Sequence, residues 1–156
     1  MDNTKVSEFV TMAEAIKSQQ AVRLGLDNKP TADQLLNMQY VAKNVFDRVR
    51  KHFGKPIAIT SFFRCYALNK TIGGSATSQH CNGEAIDIDG DVLGGVHNAE
   101  IFHFIKDNID FDQLIWEFGT NEKPVWVHVS LKRGLNLRNI LRAKKIAGKT
   151  YYEPYR

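Results

Sequence analysis

Cysteine is scarce in this chain: there are two, Cys65 and Cys81, and no Cys-x-x-Cys pair. That absence argues against a cysteine metal ligand. Proline is limited to four residues, and no repeat, low-complexity run or linker interrupts the 156 positions, so one domain over 1–156 is expected. No apolar run approaches the roughly 20 residues that a membrane-spanning helix needs. The opening Met1-Asp2-Asn3-Thr4-Lys5 lacks a basic region followed by an apolar stretch. The expectation is therefore a chain without a secretory signal, made in the cytoplasm, whose two thiols stay free. What is present is ordinary for a soluble globular protein, with 43% hydrophobic and 24% charged residues, enough to bury a core without staples. The net charge of +4 is uneven. Residues 132–156 hold eight Lys or Arg against one Glu, about +7, which leaves about −3 for the rest. Such a tail reads as a solvated face. Nucleic acid is not an expected partner, since the tail's tyrosines accompany no recognised nucleic-acid-binding pattern.

Hydrophobic spacing gives the elements. Phe9 to Leu26 suggests one or two short helical turns. Thr31-Ala32-Asp33-Gln34 is a capping box. Leu35, Met38, Ala42, Val45, Val49 and Phe53 follow at helical intervals, Gly54 closes the helix and Pro56 prevents its continuation. Strands are expected over 56–61, 84–89, 112–118 and 125–131, a helical turn near Tyr66–Lys70, and a helix over Asn98–Ile109. Early helices and a final hairpin predict an α+β fold with an antiparallel sheet and helices packed on it.

Two short stretches carry the chemistry. In Ser78-Gln79-His80-Cys81-Asn82-Gly83-Glu84-Ala85-Ile86-Asp87, His80 precedes a strand that bears Asp87, and Gly83 permits the sharp turn between them. Strand alternation puts Ile86 and Ile88 in the core and Asp87 with Asp89 on the other face. In Trp126-Val127-His128-Val129-Ser130, the valines mark one face and Trp126, His128 and Ser130 the other. His80, Asp87 and His128 together supply three zinc ligands and leave a fourth position for water, the arrangement of a catalytic zinc. Taken singly, each has a blander reading, as a polar loop residue or a packed strand histidine. Cys81, beside His80, is expected to be a packed thiol and not a ligand.

The register of the hairpin can be deduced by matching apolar faces. Phe118 then opposes Val125, Trp116 opposes Val127, and Leu114 opposes Val129. Glu117 falls opposite Trp126 and Ile115 opposite His128. Glu117 therefore lies on the His128 face and diagonal to it, about 7–8 Å away. It is the candidate general base, its alternative being an exposed edge carboxylate.

The pattern Ser78-x-His80-x-x-Gly83-x-Ala85-x-Asp87 followed by Trp126-x-His128 resembles the zinc D-Ala-D-Ala carboxypeptidase family. That family includes VanX-type dipeptidases and phage L-alanyl-D-glutamate endolysins, and shares its fold with hedgehog signalling domains. Thr60-Ser61-Phe62-Phe63-Arg64, Ala67-Leu68-Asn69, Gly73-Gly74-Ser75 and Phe111-Asp112-Gln113-Leu114-Ile115 extend the likeness from about Phe9 to Leu131. The resemblance implies one zinc ion held by His80, Asp87 and His128. It also implies that Arg64 stabilises an oxyanion and holds substrate, and that Ser78 lies beside the substrate. Trp126 would wall the groove or simply pack.

One departure stands out. Many relatives carry a catalytic acid three residues before the last histidine, where this chain has Val125. Glu117 must then act instead, or the protein is not a peptidase. The implied function is hydrolysis of peptide bonds in peptidoglycan stem peptides, as a D-Ala-D-Ala carboxypeptidase or an endolysin-type endopeptidase. A monomer is expected, reaching the cell wall after release during phage lysis or by another export route, with the basic tail as a helper toward the anionic wall. The alternative is a zinc-stabilised wall-binding module without catalysis.

Overall fold

A computed structural model describes residues 4–156; Met1-Asp2-Asn3, part of the stretch read for a leader, lie outside the described residues. Two short helices, α1 (Met12–Ala15) and α2 (Gln19–Arg23), come first, capped by the side chains of Thr11 and Ser18. The expected capping box then opens the long helix. Thr31 Oγ1 accepts from the Gln34 amide, and Gln34 Oε1 accepts from the Thr31 amide. Its interior departs from expectation. Helix α3 (Ala32–Val41) passes through a π-helical turn (Ala42–Phe46) before continuing as α4 (Asp47–Phe53), which Gly54 ends at φ 64. A π turn adds one residue to the helical circuit and has no spacing signature of its own. Just beyond it the buried Asp47 carboxylate accepts from Ser7 Oγ and from the amides of Glu8 and Phe9, tying down the N-terminal loop.

Six strands form one sheet in the order β1-β2-β4-β3-β5-β6. The first four are those expected: β1 (Ala58–Ser61), β2 (Ala85–Asp89), β3 (Gln113–Glu117) and β4 (Trp126–Ser130). Helix α5 (Tyr66–Thr71) follows β1, and α6 (Asn98–Asn108) joins β2 to β3. The β3–β4 register is the one deduced from apolar matching, with Leu114 opposite Val129, Ile115 opposite His128, Trp116 opposite Val127 and Glu117 opposite Trp126. It stops there. Phe118 was expected on the core face opposite Val125, but its φ of 57 breaks the strand's alternation and turns its ring onto Trp126, 5.3 Å between centroids. Val125, expected with the apolar face, is left 47% exposed.

The basic tail is a second departure. Instead of a merely solvated face, it forms β5 (Asn139–Ile146) and β6 (Lys149–Pro154), and β5 pairs parallel to β3. The fold is α+β, with a sheet antiparallel at every pairing except that one. Its cations are partly absorbed by packing: Arg138 lies over Phe111, Arg142 over Trp116, and Lys144 pairs with Glu153.

One face of the sheet supplies Ile86, Ile88, Leu114, Trp116, Val127 and Val129 to a buried cluster. The helices contribute Met38, Val41, Phe46, Ile101, Phe102 and Ile105 to it. Helices thus cover that face, and the opposite face, bearing Asp87, His128 and Glu117, is left to form a cleft. Asn98, wholly buried, ties the start of α6 to the sheet. It donates to Asp89 Oδ1 and to the Val125 carbonyl, and accepts from the Gly90 amide.

Candidate active site

Asp87 on β2 and His128 on β4 are directly paired residues of antiparallel strands, so their side chains leave the sheet side by side. His80 arrives from a 3-10 turn (Gln79–Asn82) that Gly83 closes at φ 74. Glycine is required there twice over. The left-handed conformation disfavours a side chain, and a Cβ would lie 2.6 Å from the Gln34 carbonyl oxygen of α3. That close approach seats the turn against the helix and brings His80 over the strands.

The His80 ring is fixed from behind. Its Nδ1 donates to the Phe62 carbonyl at 2.8 Å, since a carbonyl only accepts, and this leaves Nε2 as the free donor atom for a metal. Nε2 lies 3.4 Å from Asp87 Oδ1, and His128 Nδ1 lies 2.9 Å from the same oxygen. The three ligand atoms all fall within 4.8 Å of one another. Two imidazole nitrogens and a carboxylate oxygen converging in this way, with one ring braced by a backbone carbonyl, suit zinc. Burial alone raises the pKa of Asp87. The charge of His80 and hydrogen bonds from both imidazoles outweigh it, holding the carboxyl well below the usual carboxylate range.

These residues open onto a cleft of about 660 Å³, which Arg64, Ser78, Glu117 and Trp126 also line. A family model described as Peptidase M15 matches residues 8–130. The chain belongs to the peptidase M15 family. Among curated proteins, none matches it. M15 peptidases are zinc-dependent hydrolases, and His80, Asp87 and His128 could hold the metal here.

The proposed ligands, Arg64, Ser78, Trp126 and Glu117 all border the cleft, whereas Val125 does not. Glu117 is 6% exposed, and burial lifts its pKa to about 7; the nearby Asp87 carboxylate adds to this while His128 opposes it. Arg64 is aimed by two side chains: its Nη1 donates to Asn69 Oδ1 at 3.0 Å and its Nη2 to Ser61 Oγ at 3.3 Å. Gly74 crosses so closely that a Cβ would meet Asn69 Oδ1 at 2.1 Å, and Asn69 also donates to the Ser75 carbonyl. The Gly73-Gly74-Ser75 loop therefore buttresses the arginine. Asp89, the other acid on this strand face, is spent on Asn98 and on the Asp91 amide, and it does not line the cleft.

Three further lining residues, Leu141, Thr150 and Tyr152, escaped the sequence reading because they come from the tail. A signal was present. Ala147-Gly148 adopts φ 51 and 79, the double left-handed geometry of a tight hairpin, between a stretch containing Ile140 and Leu141 and the β-favouring Thr150-Tyr151-Tyr152.

Both cysteines are free, and Cys81 is buried next to His80. Burial pushes its thiol pKa up, which disfavours the thiolate that zinc needs. Cys81→Ser is expected to keep zinc and most activity. Metal analysis of the purified variant checks this, and loss of zinc would make Cys81 a ligand.

Proposed function

We propose that this M15 chain is a zinc peptidase that hydrolyses a peptide bond in peptidoglycan stem peptides, with His80, Asp87 and His128 as the ligands and Glu117 as the general base. The observation that carries the reading is the Glu117 carboxyl, buried in the same cleft as the three ligand groups. Burial makes the carboxylate a stronger proton acceptor than an exposed glutamate, as a general base requires. Zinc bound there would supply an electrophile for the scissile carbonyl and acidify a water molecule. Glu117 takes the proton from the attacking water and delivers it to the departing amine. The Arg64 guanidinium, held by Asn69 and Ser61, donates to the oxygen on which negative charge develops. Ser78 and Trp126, which line the same cleft, contact the substrate.

Val125, exposed where many relatives place an acid, favours the second reading, a zinc-stabilised wall-binding module. Mass spectrometry of purified muropeptides after incubation with the zinc-loaded protein separates the two. Release of terminal D-Ala marks a carboxypeptidase, and internal cleavage marks an endopeptidase. Zinc binding with no cleavage product would replace the enzyme by the binding module.

A further inference from the structure

The tail hairpin lies beyond the residues that match the family, yet it walls the cleft. Its place follows from the register. Trp126 on β4 opposes Glu117 on β3, Glu117 neighbours Ala143 on β5, and Ala143 opposes Tyr152 on β6. These four form a single row across the sheet, all on the cleft face. Glu117 and Tyr152 are thus two strand spacings apart, about 10 Å between backbones. Between them stands Ala143, whose side chain is a single methyl group. The base, the ligands and Tyr152 share one continuous surface, which runs from Arg64, just beyond β1 at one edge, to β6 at the other.

The tail's three tyrosines are used differently. Tyr155 packs against Phe102 and Trp116 in the core. Tyr151 opposes Lys144 on the face away from the cleft. Tyr152 faces the cleft, is 57% exposed, and its hydroxyl makes no hydrogen bond among the described residues. Partial burial and the nearby Glu117 and Asp87 carboxylates raise its pKa, so the phenol keeps its proton and remains a donor.

We propose that Tyr152 is a substrate-contacting residue, whose phenol donates a hydrogen bond to a carbonyl or carboxylate oxygen of the bound peptide where it crosses β3 and β5. The proposal rests on the peptidase reading. A peptide lying across the strands, with its scissile bond over His80, Asp87 and His128, meets Arg64 on one side and Tyr152 on the other. The anionic, carbonyl-rich stem peptide offers acceptors along its length, and a neutral donor suits them beside a carboxylate that must stay free to move protons.

Tyr152→Phe keeps the ring and removes only the donor. With the zinc-loaded protein and a purified muropeptide, KM is expected to rise about 10-fold, the scale of one lost hydrogen bond. The kcat is expected to stay near the parent value, because a contact away from the reacting carbonyl acts equally on ground and transition states. Zinc content and melting temperature are expected to match the parent, which excludes a merely structural role. An unchanged KM overturns the proposal and leaves the peptidase reading intact, as does a fall in kcat alone. A parent protein that cleaves no muropeptide overturns the peptidase reading, and the Tyr152 role falls with it.

Discussion

Removing either of two side chains, His80 or Asp87, is expected to cost the protein its metal. Zinc sites in small domains bind with about 10–16 kcal/mol shared among their ligands. Each of three protein ligands therefore carries roughly 3 kcal/mol or more, on the order of 100-fold in affinity. His80→Ala and Asp87→Ala should each leave the purified protein with far less than one zinc per chain and no measurable wall-peptide hydrolysis. Asp87 is the more informative position, because its Oδ1 lies against both imidazoles, at 3.4 and 2.9 Å. Its loss removes a donor and also the charge that draws the two rings together. Thermal denaturation gives an independent readout. Added zinc at 1,000 times its dissociation constant stabilises a binding-competent fold by about 4 kcal/mol. The parent should show this gain and the two variants little of it. Undiminished zinc in both variants would overturn the ligand assignment. His128→Ala should likewise weaken both metal and activity.

That much of the site was legible because it is encoded locally. The His80–Asp87 segment carries its own turn glycine, and strand alternation alone sorts Asp87 and His128 to one face. The β3–β4 register was equally accessible, since a slip by one residue would turn either Leu114 and Trp116 or Val127 and Val129 out of the core. The capping box and Gly54 marked the ends of the long helix.

What stayed hidden depends on contacts distant in sequence or on a single backbone angle. The π turn in the long helix leaves the hydrophobic spacing readable on both sides, so nothing in the pattern announces it. Phe118 alternates correctly and still leaves the strand, because its conformation turns left-handed where the hairpin loop begins. The tail is the instructive case. Its Arg and Lys residues dominate the composition and suggested a solvated face, yet Arg142 stacks over Trp116 and Ala143 sits fully buried between β3 and β6. Long cationic side chains cover apolar surface with their stems. Charge counting could not reveal that β5 joins β3 in parallel, a pairing that depends on residues more than 20 positions apart.

Glu117→Gln is expected to separate chemistry from metal binding. The substitution keeps the size of the side chain and removes its ability to accept the water proton. Zinc should remain bound, because Glu117 is not among the three convergent ligand groups. Muropeptide turnover should fall by roughly 100-fold or more, the scale of lost general-base catalysis. Hydrolysis at the parent rate would mean that another group activates the water. The same variant is expected to change stability in a pH-dependent way once the metal is stripped. Glu117 holds its proton with a pKa of about 7 in the folded chain, against an ordinary value of 4.5. Below pH 4.5 the carboxyl is protonated whether the chain is folded or not, and burial carries no charge penalty. Between these values the unfolded chain releases the proton while the folded chain retains it, so stability falls as pH rises. Above about pH 7 the loss is complete, at about 3 kcal/mol for the full shift. Glutamine cannot ionise and escapes this penalty. The metal-free variant should therefore melt higher than the metal-free parent at pH 8, and the difference should shrink toward zero near pH 4. Equal melting temperatures across that range would mean that Glu117 is not buried as a charge in the folded protein, and the argument for it as the poised base would fail.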